Sequence, residues 1–268
     1  MAPVTKKLFK TEFAVEMTCQ ACVDDVTRVL KQFADIDSFA VDLKEQRVIV
    51  QGHAAPSKVS RALKDTGRTV IVRGQGTADE AGHSGAAVCI FEVFGTDPTV
   101  AMPAGKQGLA RFVQIDESTC LIDITVEGLS PGKHGVHIHE LGDISRGWET
   151  TGDHFNPTNV DHGDADSGHI GDLGNIEVDA NGWGDMLVES SRIKVWDIIG
   201  RSMVITQNED DLGHKVGQSK IDGSSGPGVM CGIVARSAGA FENTKKICAC
   251  SGKTLWEEAR TLNHHSQL

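Results

Sequence analysis

Residues 135–140 read Gly-Val-His-Ile-His-Glu and contain two histidines, His137 and His139, separated by one apolar residue. Successive side chains of a β-strand point to opposite faces, so a strand through this stretch turns both imidazoles to the same side. Imidazole nitrogens are common ligands of copper and zinc, and two on one face can bind the same ion. The stretch therefore predicts a strand that contributes to a metal site.

Three more histidines and an aspartate follow in a glycine-rich segment: His154, His162, His169 and Asp172. Three imidazole nitrogens and one carboxylate oxygen make a closed four-ligand set, which suits zinc. Histidines scattered over surface loops are the alternative. The density of ligands in this segment favours a zinc site.

The sequence around these ligands alternates apolar and polar residues in short runs separated by glycine-rich loops. In one run Cys120, Ile122 and Ile124 share a face, while Asp123 lies on the other. This period of two, with no long helical pattern, predicts an antiparallel β-sandwich or barrel. We assign residues 77–236 to this all-β domain.

Residues 1–76 have a different organisation, in which strand-like and helix-like patterns alternate. Val26, Val29 and Leu30 follow helical spacing, and Pro56 begins a second helical pattern. The order strand, helix, strand, strand, helix, strand predicts a ferredoxin-like α+β head, βαββαβ.

Two cysteines, Cys19 and Cys22, lie where the first strand of this head meets its first helix. Thiolates are soft ligands that select Cu(I) or zinc, and a helix N-terminus lowers the pKa of a thiol. A two-thiolate site suits an ion that is handed on, whereas structural zinc takes four protein ligands. A thioredoxin-like redox pair and an inert core pair are the alternatives to Cu(I) carriage.

Small and polar residues at 74–85 predict a linker, and residues 237–268 lack periodicity and are expected to form a flexible C-terminal tail. The tail contains Cys248 and Cys250 on either side of one alanine. Such a pair can bind Cu(I) or form a strained disulfide that exchanges readily. Two incidental cysteines are the alternative.

The formal net charge of -11 makes nucleic acid an unsuitable partner. No stretch reaches the roughly 20 apolar residues of a membrane span, and residues 1–13 lack the apolar core of a signal peptide. We therefore expect a soluble cytoplasmic protein, with the mitochondrial intermembrane space as an alternative location. In such a reducing compartment, close cysteine pairs indicate metal or redox sites.

From about residue 87 to about residue 235 the chain resembles the copper/zinc superoxide dismutases, through the stretches GVHIHE, HFNP, HIGDLGN, IGRS and DDLG. The resemblance implies a Greek-key β-barrel that binds zinc through His154, His162, His169 and Asp172. It also implies the remnant of a copper site, formed by His137, His139 and His154.

Three positions depart from that family. Thr206 stands where the family has its fourth copper histidine, and Gly228 stands where it has an arginine over the copper. Trp148 replaces the cysteine that would bond Cys231, which we therefore expect to be a buried, unpaired thiol. Copper cycling needs a tuned ligand set, and steering an anion needs positive charge. We expect the domain to retain zinc and not to be an active dismutase.

The Cys19–Cys22 junction resembles the heavy-metal-associated domains of copper chaperones and copper pumps. The order of head, dismutase-like domain and C-x-C tail is similar to the copper chaperones for superoxide dismutase. This resemblance implies docking to a superoxide dismutase as a heterodimer, delivery of Cu(I), and assistance with disulfide formation. A dismutase with an appended copper-loading domain and a metal-storage protein are the alternatives, and homodimer formation stays open.

Overall fold

The computed structural model describes residues 8–77, 85–91 and 106–237 of the 268-residue chain. The described residues form two compact units, one before residue 85 and the other spanning Gly85–Ser237. No helix in these ranges is long and apolar enough to cross a membrane.

The first unit is an α+β fold with a four-stranded antiparallel sheet in the order β2-β3-β1-β4. Its elements, in chain order, are β1 (Phe9–Val15), α1 (Gln20–Leu30), β2 (Ile36–Asp42), β3 (Arg47–Gly52), α2 (Pro56–Lys64) and β4 (Val70–Thr77). The observed βαββαβ order confirms the predicted ferredoxin-like head.

The two helices of the head bury apolar side chains at helical spacing. Val26 and Leu30 of α1 and Val59 and Leu63 of α2 are fully buried in the core that they share with the sheet. Residues 74–77, expected in the linker, lie instead in β4, because they pair with the first half of β1. The apolar and polar pattern alone did not reveal this extension.

The second unit is a closed antiparallel barrel in which the strand order is β10-β11-β7-β6-β5-β13-β12-β8. Its elements are β5 (Gly85–Ile90), β6 (Gln107–Gln114), β7 (Cys120–Glu127), β8 (Gly132–His139), β9 (Ser145–Trp148), β10 (Asp172–Val178), β11 (Trp183–Ser190), α3 (Val195–Ile198), β12 (Ser202–Thr206), α4 (Ser219–Asp222) and β13 (Gly228–Arg236). This architecture confirms the predicted all-β domain.

The interior of the barrel is apolar and follows the period-two pattern. Ile122, Ile124 and Val126 of β7 are fully buried in the main core. Strand β8 lies between β10 and β12, and its His137 is opposite Asp172 of β10. This register brings the histidine strand next to the start of β10, where the predicted zinc carboxylate lies.

Candidate metal sites

Six side chains from separate parts of the barrel domain meet in one buried group, which we call the metal cluster: His137, His139, His154, His162, His169 and Asp172. The first two lie on β8, the next three follow β9, and the aspartate begins β10. An isolated β-bridge between His139 and His154 holds the long connection against β8. All the predicted histidine and carboxylate ligands of this domain are therefore close together.

The distances within the cluster fit a metal site. His137, His154, His162 and Asp172 each offer a ligand atom, and these four atoms all lie within 4.8 Å of one another. Nδ1 of His169 lies 3.4 Å from Oδ1 of the same aspartate. The predicted zinc set is thus assembled around Asp172, and His137 approaches it from the side of the expected copper remnant.

Among the described residues, two buried ring nitrogens in the cluster have no polar partner: Nδ1 of His137 and Nε2 of His139. Leaving a buried polar atom without a partner is costly, so two in one site call for an explanation. Coordination of a metal ion would satisfy them. These side chains therefore fit a metal-binding group.

Asp210 orients two of the histidines, and sequence reasoning did not identify this role. Its Oδ2 lies 2.9 Å from Nε2 of His137, and its Oδ1 lies 2.8 Å from Nε2 of His162. Each ring therefore faces Asp210 through Nε2, which leaves Nδ1 of His137 open to an ion and places Nδ1 of His162 3.0 Å from Oδ2 of Asp172. Carboxylates behind metal-binding histidines commonly fix the ring orientation and tautomer in this way.

Arg192 hydrogen-bonds to the loop between His162 and His169, two of the predicted zinc ligands. Its guanidinium donates to the carbonyl oxygen of Ala165, at 3.0 Å, and to that of Gly168. These carbonyls lie between His162 and His169 in the sequence. Arg192 therefore restrains the loop that presents both imidazoles.

The electrostatics of the cluster favour a cation. Burial lowers the pKa of His139 to about 3 and that of His154 to about 4, so both rings are neutral at neutral pH, as metal ligands are. Burial would also lower the pKa of His162, but the carboxylates of Asp172 and Asp210 outweigh it and raise that pKa to about 9. A positive charge is thus favoured between these two carboxylates.

The second candidate site lies in the head, at the start of α1. Cys19 is the residue before the helix and is exposed, while Cys22 lies in its first turn and is half-buried. Their sulfur atoms are 3.7 Å apart. The two thiols are therefore close enough to bind one ion at an accessible corner of the domain.

The surroundings of Cys22 favour its thiolate form. Hydrogen bonds from the backbone of Thr18 and the side chain of Arg68 lower the pKa of Cys22 from 9.0 to about 6. The same guanidinium lies 2.9 Å from a carboxylate oxygen of Asp25, which holds it against α1. Soft metals bind the thiolate, so this environment prepares Cys22 as a ligand.

Comparison with known proteins finds a family match in each of the two units. The heavy-metal-associated domain family matches residues 12–69, and the copper/zinc superoxide dismutase (SODC) family matches residues 106–234. A "Copper chaperone for superoxide dismutase" of Mus musculus is 45% identical over 92% of this chain and 88% of its own length. The chain belongs to the family of copper chaperones for superoxide dismutase.

Other relatives in the family cover a similar share of both chains. The copper chaperone for superoxide dismutase of Sus scrofa is 47% identical over 92% of this chain and 88% of its own length. The superoxide dismutase 1 copper chaperone of Debaryomyces hansenii is 36% identical over 94% and 95%, respectively. The similarity therefore extends over the head and the barrel together.

In this copper chaperone family member, Thr206 and Cys231 have definite surroundings. The hydroxyl group of Thr206 lies 3.3 Å from the carbonyl oxygens of Gly135 and Asn208, so its hydrogen-bond partners are backbone atoms. Cys231 is a buried, free thiol, as expected, and burial raises its pKa to about 12. Cys248 and Cys250 of the predicted tail site lie outside the described residues.

Proposed function

We propose that the protein is a copper metallochaperone that docks a superoxide dismutase, delivers Cu(I) to it and assists its disulfide formation. The accessible Cys19–Cys22 pair, with its sulfur atoms 3.7 Å apart, is the observation that carries this proposal. An exposed two-thiolate site holds a soft ion without enclosing it, so a partner's ligands can displace the thiolates. The names of the relatives support the same function.

The metal cluster supports a structural role for zinc in the barrel. His154, His162, His169 and Asp172 would hold Zn(II), which favours three nitrogens and one oxygen in a closed site. His137 and His139 retain free ring nitrogens beside this set. Bound zinc would neutralise the buried carboxylates and fix the long connection between β9 and β10.

The proposed chaperone is not itself an enzyme. A hydroxyl group such as that of Thr206 is a poor copper ligand beside imidazole, and its contacts are with backbone atoms. Gly228 supplies no positive charge where the resemblance implies an arginine. Both the ligand set and the anion-attracting charge are therefore incomplete for rapid superoxide turnover.

Three exposed apolar side chains of the barrel form the surface that we assign to docking, and we call it the docking patch. Its members are Ile90 on β5, Leu141 after β8 and Ile233 on β13, which are 53%, 49% and 39% exposed. Clustered exposed apolar side chains are characteristic of protein interaction sites.

Close backbone contacts bring the segments of this patch together. A Cβ on residue 232 would lie 2.0 Å from the carbonyl oxygen of Ile90, and one on residue 142 would lie 2.1 Å from that of Gly200. The amide of Gly200 in turn donates to the carbonyl oxygen of Val234, at 2.8 Å. In a symmetric dimer each subunit offers the same surface, so a related barrel with this patch can replace one dismutase subunit in a heterodimer.

The tail would carry out the last step through Cys248 and Cys250. A thiolate of the immature dismutase attacks the tail disulfide, forms a mixed disulfide and releases one tail thiolate. The second dismutase thiolate then resolves the mixed disulfide, so the dismutase is oxidised and the tail pair is reduced. A strained C-x-C disulfide is a suitable oxidant for this exchange.

The decisive experiment mixes the Cu(I)-loaded protein with zinc-loaded, disulfide-reduced dismutase and follows copper transfer, disulfide formation and activity. We expect the Cys19→Ser, Cys22→Ser variant to lose Cu(I) binding by the head. The Cys248→Ser, Cys250→Ser variant should still form the heterodimer but should not mature the dismutase. Superoxide turnover by the metal-loaded protein alone would favour the alternative, a dismutase with a copper-loading domain.

A further inference from the structure

Trp148 ends β9 and is half-buried against the paired strands β12 and β13. Together with Ile144 it covers a small apolar cluster formed by Val204 of β12 and Cys231 of β13. Both covered residues are almost completely buried. The tryptophan therefore fixes the connection after β8 to the barrel wall through an apolar contact.

The glycine at position 228 makes room for this tryptophan. A Cβ on residue 228 would lie 2.5 Å from Cβ and 2.6 Å from Cγ of Trp148, and 2.8 Å from a methyl carbon of Val204. Such distances are too short for any side chain to be added without displacing its neighbours. Any larger residue at 228 would therefore displace Trp148 or Val204, so Gly228 keeps Trp148 in this position.

Hydrogen bonds connect Trp148 to the docking patch. Its carbonyl oxygen accepts from the amide of Thr151, at 3.2 Å, and from the hydroxyl group of Thr151, at 2.7 Å. The carbonyl oxygen of Thr151 in turn accepts from the amide of Leu141, at 2.9 Å. The position of Trp148 therefore determines the path of the backbone that presents Leu141.

The other end of the same segment is held separately. The guanidinium of Arg201 donates to the carbonyl oxygen of Glu140, at 2.7 Å, and lies 3.8 Å from the centre of the Phe155 ring. Arg201 therefore restrains the start of the segment between Glu140 and Thr151, and the apolar packing of Trp148 restrains its end. The side chain of Trp148 packs against the cluster that contains Cys231.

We propose that Trp148, seated on Gly228, is the positioning residue of the docking patch, and that it replaces a covalent link to β13 with a contact that reductants do not affect. This inference rests on the proposed docking to a dismutase. A disulfide opens when the surroundings become reducing, whereas apolar packing does not. The patch thus stays assembled in the reducing conditions in which an immature, disulfide-free dismutase exists.

The test uses the full-length, zinc-loaded protein and two variants that disturb the pair from opposite sides, Trp148→Ala and Gly228→Ala. Trp148→Phe is the conservative variant. Trp183→Ala removes a half-buried tryptophan from β11, which lies opposite β13 in the barrel order, and serves as the matched control. Hydrogen exchange of residues 140–153, thiol labelling of Cys231 and affinity for reduced dismutase are measured with and without reductant.

In the Cys248→Ser, Cys250→Ser background, which cannot form the mixed disulfide of the tail, we expect binding to be equal with and without reductant. Both alanine variants on the pair should expose Cys231 to labelling, speed exchange of residues 140–153 and weaken binding on the order of tenfold, because the segment must then be ordered on docking. The control and Trp148→Phe should bind within a few-fold of the unaltered protein.

Unchanged exchange, labelling and affinity in both pair variants would overturn the inference, as would reductant-dependent binding in the Cys248→Ser, Cys250→Ser background. If an alanine variant does not fold, the milder Trp148→Phe variant tests the inference instead. Its hydrogen exchange at residues 140–153 should be slightly faster than that of the unaltered protein. If the unaltered protein binds no dismutase, the proposed docking fails, but exchange and labelling of the free protein still test whether Trp148 positions the segment.

Discussion

Replacing Arg68 by glutamine tests the electrostatic preparation of the head for metal binding. The backbone of Thr18 and the guanidinium of Arg68 are the main causes that lower the pKa of Cys22 from 9.0 to about 6. Glutamine removes the charge and leaves the contact with Thr18, so we expect the pKa to rise by about one unit. The thiolate fraction at pH 6 should then fall from about one half to about one tenth.

The assay is alkylation of Cys22 by iodoacetamide in the metal-free, full-length protein, followed by mass spectrometry from pH 5 to pH 9. Because only the thiolate reacts, the midpoint of the rate profile reports the pKa. Arg28→Gln is the matched control, since Arg28 also contacts Asp25 but is not among the groups that lower the pKa of Cys22. An unchanged midpoint in Arg68→Gln, or an equal shift in the control, would refute the reasoning.

Three further predictions concern the barrel. Saturating zinc should raise the unfolding temperature of the barrel by roughly 10 °C in calorimetry. The reason is that a ligand at about 1,000 times its dissociation constant stabilises the folded state by about 4 kcal/mol. The Asp172→Asn variant should show no such rise. Arg192→Gln should weaken zinc affinity about tenfold in a chelator competition, with the same unfolding temperature in the absence of zinc if the arginine only restrains the ligand loop. The Thr206→His variant should add an imidazole to the copper remnant. Its superoxide turnover should still stay at least about 100-fold below that of a dismutase, because residue 228 supplies no positive charge. Fast turnover by this variant would contradict the reasoning.

The sequence was sufficient to predict what depends on local pattern. The period-two runs and the helical spacing of Val26 and Leu30 gave both fold classes, and the metal-ligand residue types in the glycine-rich segment indicated a cluster. The orienting role of Asp210 was not predicted, because it depends on contact with His137, 73 positions away. An aspartate within the acidic run at residues 209–211 carries no local signal of which distant side chain it contacts.

The Trp148–Gly228 pair illustrates the same limit. Each residue was noticed from the sequence as a separate departure from the dismutase pattern, one removing a cysteine and the other an arginine. Their contact follows only from the packing of β9 on β13, which places Gly228, a residue without a side chain, against the large side chain of Trp148. The lack of a side chain at residue 228 therefore lets Trp148 pack against Val204 and Cys231.

The two candidate metal sites differ in their solvent exposure, and this difference indicates different roles. In the barrel, Asp172 and the ring of His162 are fully buried, so an ion held there can leave only if the connection before β10 opens. In the head, Cys19 is exposed and Cys22 is half-buried, so a partner's ligand can approach the ion while both thiolates still hold it. Ligand exchange by such an associative route never requires a free ion, whereas release from the buried cluster would first break several bonds. Under the proposed function, the cargo would therefore be carried by thiolates, and an ion in the barrel would belong to the protein's own structure.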